Sequence, residues 1–460
     1  MRFVANLRQE TIDVFAAQEV QPAAYLLSAH RVTAATLEAA AAVRARDLPL
    51  FADNGTKPLI EDTVAAFEQA AGALRLAVAA LRRGLGHIPR GNDVPRALRM
   101  SASDLASEIV RHATRLSNAT DASSLLATQL SMRPTDLIAQ EDFATGCLIA
   151  LGLERETTGW SVAHIDARNR RSLRLWRRVI DDPRCKAMRV YAVLSAMDYN
   201  TARSAGRLAA KAGVRNAAIG IAGITLDPTA TDFMVLGSAS IRLQKPAPRR
   251  YLRLAQVLRG IADGFVDAGK RIECFHCLGL GAPSMFPIAA GALSDATRVT
   301  TDATSPIHDA VRDRVLYDPK NDGDRISTRE IVERILDGGA WPFVSPFTRD
   351  FRRRFGNEPG KARTAWDALG RPPITDLLLE TPSALTGALP LFVEANAELQ
   401  SEVVKTRIAH NHWVLGQLSE SFADDGGRRA VALSTIDRLV AQTATVTTRG
   451  LLAARQVLFP

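Results

Sequence analysis

The 460-residue chain has only four cysteines, Cys147, Cys185, Cys274 and Cys277. Four are too few for a disulfide framework at this length and fit a reducing compartment, so the expected location is the cytoplasm. No apolar run reaches the roughly 18 residues needed to cross a bilayer. The opening residues Met1-Arg2-Phe3-Val4-Ala5-Asn6-Leu7-Arg8 carry charge too early and too often for a signal-peptide core. A secreted or membrane protein is therefore not expected. There is no internal repeat, low-complexity tract or long linker, and no G-x-G-x-x-G turn follows the first strand expected, which argues against a doubly wound dinucleotide fold. With 47% hydrophobic and 23% charged residues, the composition also excludes disordered, collagenous and coiled-coil proteins.

What is present is positive charge. Lys and Arg number 58 against 49 Asp and Glu, a net charge of +9, and the sequence pI is about 9.7. That balance points to an acidic partner, nucleic acid first and an anionic membrane surface second. A genome rich in Arg and Ala codons gives the same balance, so charge alone does not decide the partner.

Short continuous apolar runs alternate with helical patterns along residues 48–301. They include Leu48-Pro49-Leu50-Phe51, Asp136-Leu137-Ile138-Ala139, Arg189 to Leu194 and Ala217 to Ile221. Phe233-Met234-Val235-Leu236, Ile272 to Leu278 and Arg298 to Thr301 complete the set. Runs of this kind, separated by helices, predict βαβ units and a parallel sheet. Seven such strands in this length match a TIM (β/α)8 barrel. The expected division is a helical N-terminal extension over 1–47, a barrel over 48–330 and a mixed loop and helical region over 331–460. The stretches 389–422 and 428–459 have the spacing of amphipathic helices.

Catalysis in such a barrel takes place at the strand ends. Asp53, Asp142 and Asp302 each follow an expected strand. Singly each has a structural explanation: Asp53-Asn54-Gly55 makes a tight turn and Asp142 caps a helix. Asp302 is harder to explain as a cap, because Ser305-Pro306 already forms a good helix start.

Together they resemble a known site. Leu48 to Gly55 is similar to the strand and Asp-Ser-Gly turn of the tRNA-guanine transglycosylases, and Asp136 to Asp142 keeps that family's spacing. Residues 189–224 resemble its strand–helix–strand unit, Leu278-Gly279-Leu280-Gly281 its Met-Gly-Val-Gly turn, and Thr301 to Ser305 its nucleophile segment. The matches run in the family's order over residues 48–310. The resemblance implies base exchange at C1′ of a guanosine-type nucleotide. Asp302 would be the nucleophile and Asp53 the general acid/base. Asp142 would accept hydrogen bonds from N1–H and the exocyclic amine. Backbone N–H groups around Gly220 and Ile221 would meet the carbonyl side of a base flipped out of its stack.

The chain departs from the family in two places. No Cys-x-Cys-x-x-Cys zinc element follows Asp302, and Cys274 and Cys277, three apart on an expected strand, point to opposite faces, so no zinc or other cofactor is expected. Ser195-Ala196 stands where the family has Gln-Gly, and Ile221 where a second glycine is common, which alters the purine pocket. His276 is expected to be a hydrogen-bonded core histidine, and His410 and His412 are expected at the surface. These departures resemble the divergent branch that inserts 7-deazaguanines into DNA. That branch implies 7-cyano-7-deazaguanine as incoming base and a helper ATPase as partner. A tRNA substrate, a nucleoside hydrolase and a non-catalytic binding subunit are the alternatives. For the polynucleotide, three Arg clusters stand out: Arg168 to Arg178 around Trp176; Lys245, Arg249, Arg250 and Arg253 around Tyr251; and Arg349, Arg352, Arg353 and Arg354 interleaved with Phe347, Phe351 and Phe355. The third is the best candidate, and Trp176 is expected in the core.

Overall fold

The computed structural model describes residues 1–17, 22–86, 91–153, 158–221, 230–236, 239–339, 345–355, 359–373, 399–424, 426–442 and 446–459. Eight parallel strands close into a barrel. In chain order they are β1 (Arg2–Asn6), β2 (Tyr25–Ser28), β3 (Leu50–Asp53), β4 (Asp136–Ile138), β5 (Arg189–Leu194), β6 (Asn216–Gly220), β9 (Cys274–Leu278) and β10 (Arg298–Asp302). Between β6 and β9 lies an antiparallel hairpin, β7 (Ala230–Leu236) and β8 (Ala239–Pro248). A second hairpin, β11 (Val315–Asp318) and β12 (Asp324–Ser327), follows the barrel. The run 233–236 is thus a strand, but it belongs to a hairpin outside the barrel.

Residues 1–47 are not a helical extension. They supply β1 and β2, and β1 closes the barrel by pairing with β10 in the register Val4–Asp302. Helices α1 (Gln9–Ala17) and α2 (Ala34–Ala45) are the connections that follow these strands. Two strands of five and four residues, buried on both faces, show no alternation against an alanine-rich helical background. The barrel unit therefore runs from Arg2 to the helix after β10 rather than from residue 48.

Strand side chains alternate between two cores. Val4, Leu26, Phe51, Ile138, Tyr191, Val193 and Ala218 fill the lumen, while Phe275, Cys277, Val299, Ala192 and Leu194 face the helical shell. Cys274 packs on the lumen cluster and Cys277 on the outer one, so the pair does point to opposite faces. At the N-terminal end of the barrel, Asp136 is buried and held by bidentate Arg189 at 2.7 and 2.8 Å, by the Tyr191 hydroxyl at 3.0 Å and by Arg298 at 3.6 Å. These partners outweigh burial and keep its carboxyl below the usual range. This cluster closes the bottom of the barrel and leaves the C-terminal mouth as the open end.

The β3–β4 connection carries two long helices, α3 (Thr56–Leu85) and α4 (Arg96–Ala119), and the shorter α5 (Ala122–Ser131). By length and composition α3 is apolar enough to cross a membrane, contrary to the run-by-run reading. Glu68 and Arg75 interrupt its apolar stretch in sequence, but they pair with each other in the fold. The helix packs on α4 and on α6 (Ala144–Ala150), and Leu76 stays exposed.

The remaining shell helices are α7 (Val162–Ile180), α8 (Tyr199–Lys211), α9 (Arg249–Asp267), α10 (Phe286–Ala292) and α11 (Ser305–Val311). Beyond them come α12 (Thr328–Leu336), α13 (Pro346–Phe355), α14 (Pro359–Ala368), α15 (Gln400–Glu420), α16 (Arg428–Gln442) and α17 (Val446–Leu458). The C-terminal helices complete the barrel's own shell. α15 lies along β1, α1 and α11, α16 covers the short α10, and α17 packs on α9. The terminal amine of Met1 donates to Phe422 O, and Phe3 N–H donates to Ser419 Oγ at 2.9 Å.

The α15 histidines are core residues, correcting their expected surface position. His410 bonds Tyr317 O and His412 bonds Ile408 O, both at 2.8 Å, and burial pushes each imidazole down to about 4. The i, i+2 spacing would place one of the pair outward on an isolated helix. Here α15 is enclosed by β1, α1, β11 and α11, so both faces are covered.

Candidate active site at the barrel mouth

Asp302 ends β10 and is 7% exposed. Its Oδ1 accepts the Gly279 N–H at 3.1 Å, and its Oδ2 accepts the Asn6 amide at 3.2 Å. Gly279 can aim its N–H this way because its φ is +79°, a region costly to residues with a Cβ. Gly281 is needed two residues on, since a Cβ there would lie 2.3 Å from Ser305 Oγ and 2.4 Å from Ala303 Cβ. The Leu-Gly-Leu-Gly turn is thus shaped by the carboxylate and by the segment after it.

His276 reaches Asp302 from inside the lumen. Its ring is fully buried, stacked on Phe51 with centroids 4.9 Å apart, and its Nδ1 lies 2.8 Å from Thr300 Oγ1. Its Nε2 lies 3.2 Å from Asp302 Oδ1. The approach is oblique, and Nε2 has no well-aligned acceptor. Burial works against ionisation of Asp302. The contacts with His276, Gly279 and Asn6 outweigh it and hold the carboxyl below its ordinary value.

Asp53, at the end of β3, has the opposite balance. Its Oδ2 accepts the Ser28 hydroxyl at 2.8 Å and the Gly55 N–H at 3.2 Å. Burial, reinforced by the charge of Asp302, pushes it up against those bonds. Ser28 Oγ also lies 2.8 Å from Nδ1 of the exposed His30. Since Ser28 gives its proton to Asp53, His30 donates to Ser28, and a hydrogen-bonded chain joins the half-buried carboxyl to solvent. His30 is itself pushed down by burial and by Arg31 and Arg8.

Asp142 is 1% exposed, and its carboxylate is engaged. Oδ1 accepts the Ala144 N–H at 3.3 Å, while Arg168 and Arg171 of α7 lie 3.2 and 3.8 Å from Oδ2. Two arginines of the first basic cluster therefore serve this carboxylate. The preceding residue, Glu141, escaped the sequence reading. It is buried beside Asp53 and Asp142, and burial with these two charges pushes it up to about 8. The signal was present as three polar residues in a row, Gln140-Glu141-Asp142, directly after a strand.

Ser195 is 8% exposed, with its backbone clamped by the Asn169 amide, which both donates and accepts at 2.9 Å. Gly220 is exposed at the end of β6, and a Cβ there would meet only open space. The Ile221 N–H is not available to a ligand, correcting its expected role, because it donates to Leu278 O at 2.8 Å. This bond continues the β6–β9 ladder one residue past its assigned end.

The basic clusters are only partly as expected. Trp176 is in the core, donating to Val190 O at 3.3 Å. Arg250 lies over the ring of the buried Tyr251, while the side chains of Lys245 and Arg249 are outside the described residues. On α13, Arg352, Arg353 and Arg354 are exposed, yet Arg353 pairs with Asp350 and Arg354 with Glu402. Phe347 and Phe351 are buried, and Phe355 packs against the cluster around α12. These phenylalanines anchor the helix and cannot stack on a base.

Strand ends thus bring together Asn6, Ser28, Asp53, Ser195, Gly220, Gly279 and Asp302 at one mouth. The fold is a TIM barrel, a class that commonly carries enzymes with active sites at this end. No family model matches the chain, and no curated protein is similar to it in sequence.

Proposed function

We propose that the protein is a base-exchange transglycosylase that replaces guanine in DNA by a 7-deazaguanine, probed best with 7-cyano-7-deazaguanine. The observation that carries this reading is the division of the two mouth carboxylates. Asp302 accepts the Gly279 and Asn6 N–H groups with His276 beside it, and its carboxyl is held down, whereas Asp53, half-buried beside that charge, is pushed up. Carboxyls driven apart in this way suit a nucleophile and a general acid.

In this mechanism Asp302 Oδ2, which carries one donor while Oδ1 carries two contacts, bonds to C1′. The C1′–N9 bond breaks, its electron pair leaves with guanine, and Asp53 gives its proton to the departing base. The incoming base loses its N9 proton to Asp53 and attacks C1′. The ester to Asp302 breaks and the carboxylate is restored. Ser28 and His30 connect Asp53 to solvent for proton exchange between turnovers. Glu141, neutral below about pH 8, offers a donor to the heterocycle beside the acceptor Asp142.

The test is mass spectrometry of nucleosides from DNA and tRNA of cells with the wild-type protein or Asp302→Ala, supplied with precursor base and helper ATPase. A deazaguanine nucleoside in DNA that vanishes with Asp302→Ala supports the reading. The same signal confined to tRNA replaces the polymer, an abasic product replaces transfer by hydrolysis, and no product in either polymer leaves a binding subunit.

A further inference from the structure

The four strands β10, β1, β2 and β3 are consecutive neighbours in the barrel, and they form one half of its mouth. This half holds both Asp302 and Asp53. The segments leaving these same strands carry basic side chains around the two carboxylates. Arg8 follows β1, His30 and Arg31 follow β2, Lys57 opens α3 after β3, His308 lies on α11 after β10, and Arg312 caps the end of that helix.

These side chains sense one another. Arg8 interacts with both Arg31 and Arg312, His30 with Arg8, Arg31 and Lys57, and His308 with Arg8, Arg312 and Lys57. Carboxylates balance them only in part. Glu10 lies 3.7 Å from Arg8 and Glu61 3.6 Å from Lys57, one ion pair each. Arg31 and Arg312 make no ion pair among the described residues. Asp309 of α11 and Asp313 beyond it both pair with Arg325, and Asp309 also accepts the Tyr317 hydroxyl at 2.6 Å. Arg8 is held at the centre with its side chain only 12% exposed. Arg31 and Arg312 leave positive charge in excess around the partly buried Arg8, which is unfavourable in isolation, and an anion on the rim relieves it.

We infer that the Arg8–Arg31–Lys57–Arg312 rim is a phosphodiester-binding site that grips the backbone beside the nucleotide entering the mouth. The inference rests on the transglycosylase reading for the identity of the nucleotide, but not for the binding itself. Arginine forks match phosphate oxygens, and the placement over the half of the mouth that holds Asp302 and Asp53 would hold the sugar between the backbone grip and the carboxylates. None of these residues belongs to the basic clusters legible in the sequence, because they lie on four separate segments that only the closed barrel brings together.

The test uses the full chain carrying Asp302→Asn, so that binding is read without turnover. Affinity for short guanine-containing single-stranded DNA and RNA of the same sequence is measured by fluorescence anisotropy over a salt series. Arg31→Ala and Arg312→Ala are compared with the parent; both residues are exposed, and circular dichroism verifies the fold. Each substitution should weaken binding and reduce the slope of log affinity against log salt by about 0.7, the value for one phosphate contact on a single strand. The DNA and RNA arms identify which polymer brings the phosphodiester. Slopes unchanged on both polymers overturn the inference, as does a change that follows the α13 arginines instead. If the slopes fall as expected while nucleoside analysis finds no exchanged base, the rim stands and the transglycosylase reading fails.

Discussion

The contact between His276 and Asp302 can be measured without any assay of activity. Asp302 is almost fully buried, so removing one of its partners leaves a carboxylate short of a donor where water cannot replace it. A hydrogen bond to a charged group contributes about 1.5–3 kcal/mol, and this contact at 3.2 Å, without hydrogen-bond alignment, falls below that range. A double-mutant cycle with His276→Leu and Asp302→Asn should therefore give a coupling energy of about 1 kcal/mol in urea unfolding at neutral pH. The cycle is needed because His276→Leu also loses the bond to Thr300 and the stacking on Phe51, costs that are the same in both backgrounds.

The sign with pH follows from the same geometry. In the wild type the depressed Asp302 carboxyl contributes stability that is present above the unfolded value and lost as pH falls through the folded one. Without His276, burial gains weight, the carboxyl titrates higher, and the penalty of the single variant shrinks as pH falls. A coupling below about 0.5 kcal/mol, or one unchanged at acid pH, would refute the view that His276 holds Asp302 ionised.

Glu141→Gln should remove a decline in stability between about pH 4.5 and about 8. Over that window the unfolded chain releases a proton that the folded chain keeps, so stability falls with rising pH by up to about 1.4 kcal/mol per unit, readable by urea titration. Ser28→Ala removes a hydroxyl that favours ionised Asp53, so the pH profile of base exchange should shift its Asp53 limb upward, and His30→Phe should slow exchange without moving that limb. Arg428 is buried and donates to Phe422 O, Leu293 O and Ala296 O at 3.0, 3.2 and 2.5 Å, tying the start of α16 to the end of α10. Arg428→Met should lower unfolding free energy by about 2–4 kcal/mol, because it strands buried carbonyls.

The barrel was legible where its strands were long enough to stand out. β5 carries five apolar side chains and β9 four, and the turns beyond them carry glycine, serine or charge. The helical tail was legible too, apart from the break that divides 428–459 into α16 and α17. The division of labour between Asp302 and Asp53 was not. It depends on Asn6, Ser28, His276 and Gly279, which come from β1, β2 and β9 with the turn after it and share no sequence spacing. The same limit explains the basic clusters. Runs such as Arg352-Arg353-Arg354 are conspicuous in a sequence but partly neutralised by Asp350 and Glu402, whereas Arg8, Arg31 and Arg312 are far apart in the chain and converge in the fold.

Reading residues 1–47 as an extension has a consequence for the site as well as for the fold. If the segment were an appendage, its removal would leave the chemistry in place and cost only its own packing. In the closed barrel it supplies Asn6 to Asp302 and Ser28 to Asp53, so each carboxylate owes a polar partner to it. Its removal would also expose the paired edges of β3 and β10, both buried parallel strands. A chain beginning at residue 48 should therefore fail to give a cooperative unfolding transition, and adding residues 1–47 as a separate peptide should restore one. A truncated chain that unfolds cooperatively on its own would show that six strands suffice, and the mouth would then have to be rebuilt from β3 to β10 alone.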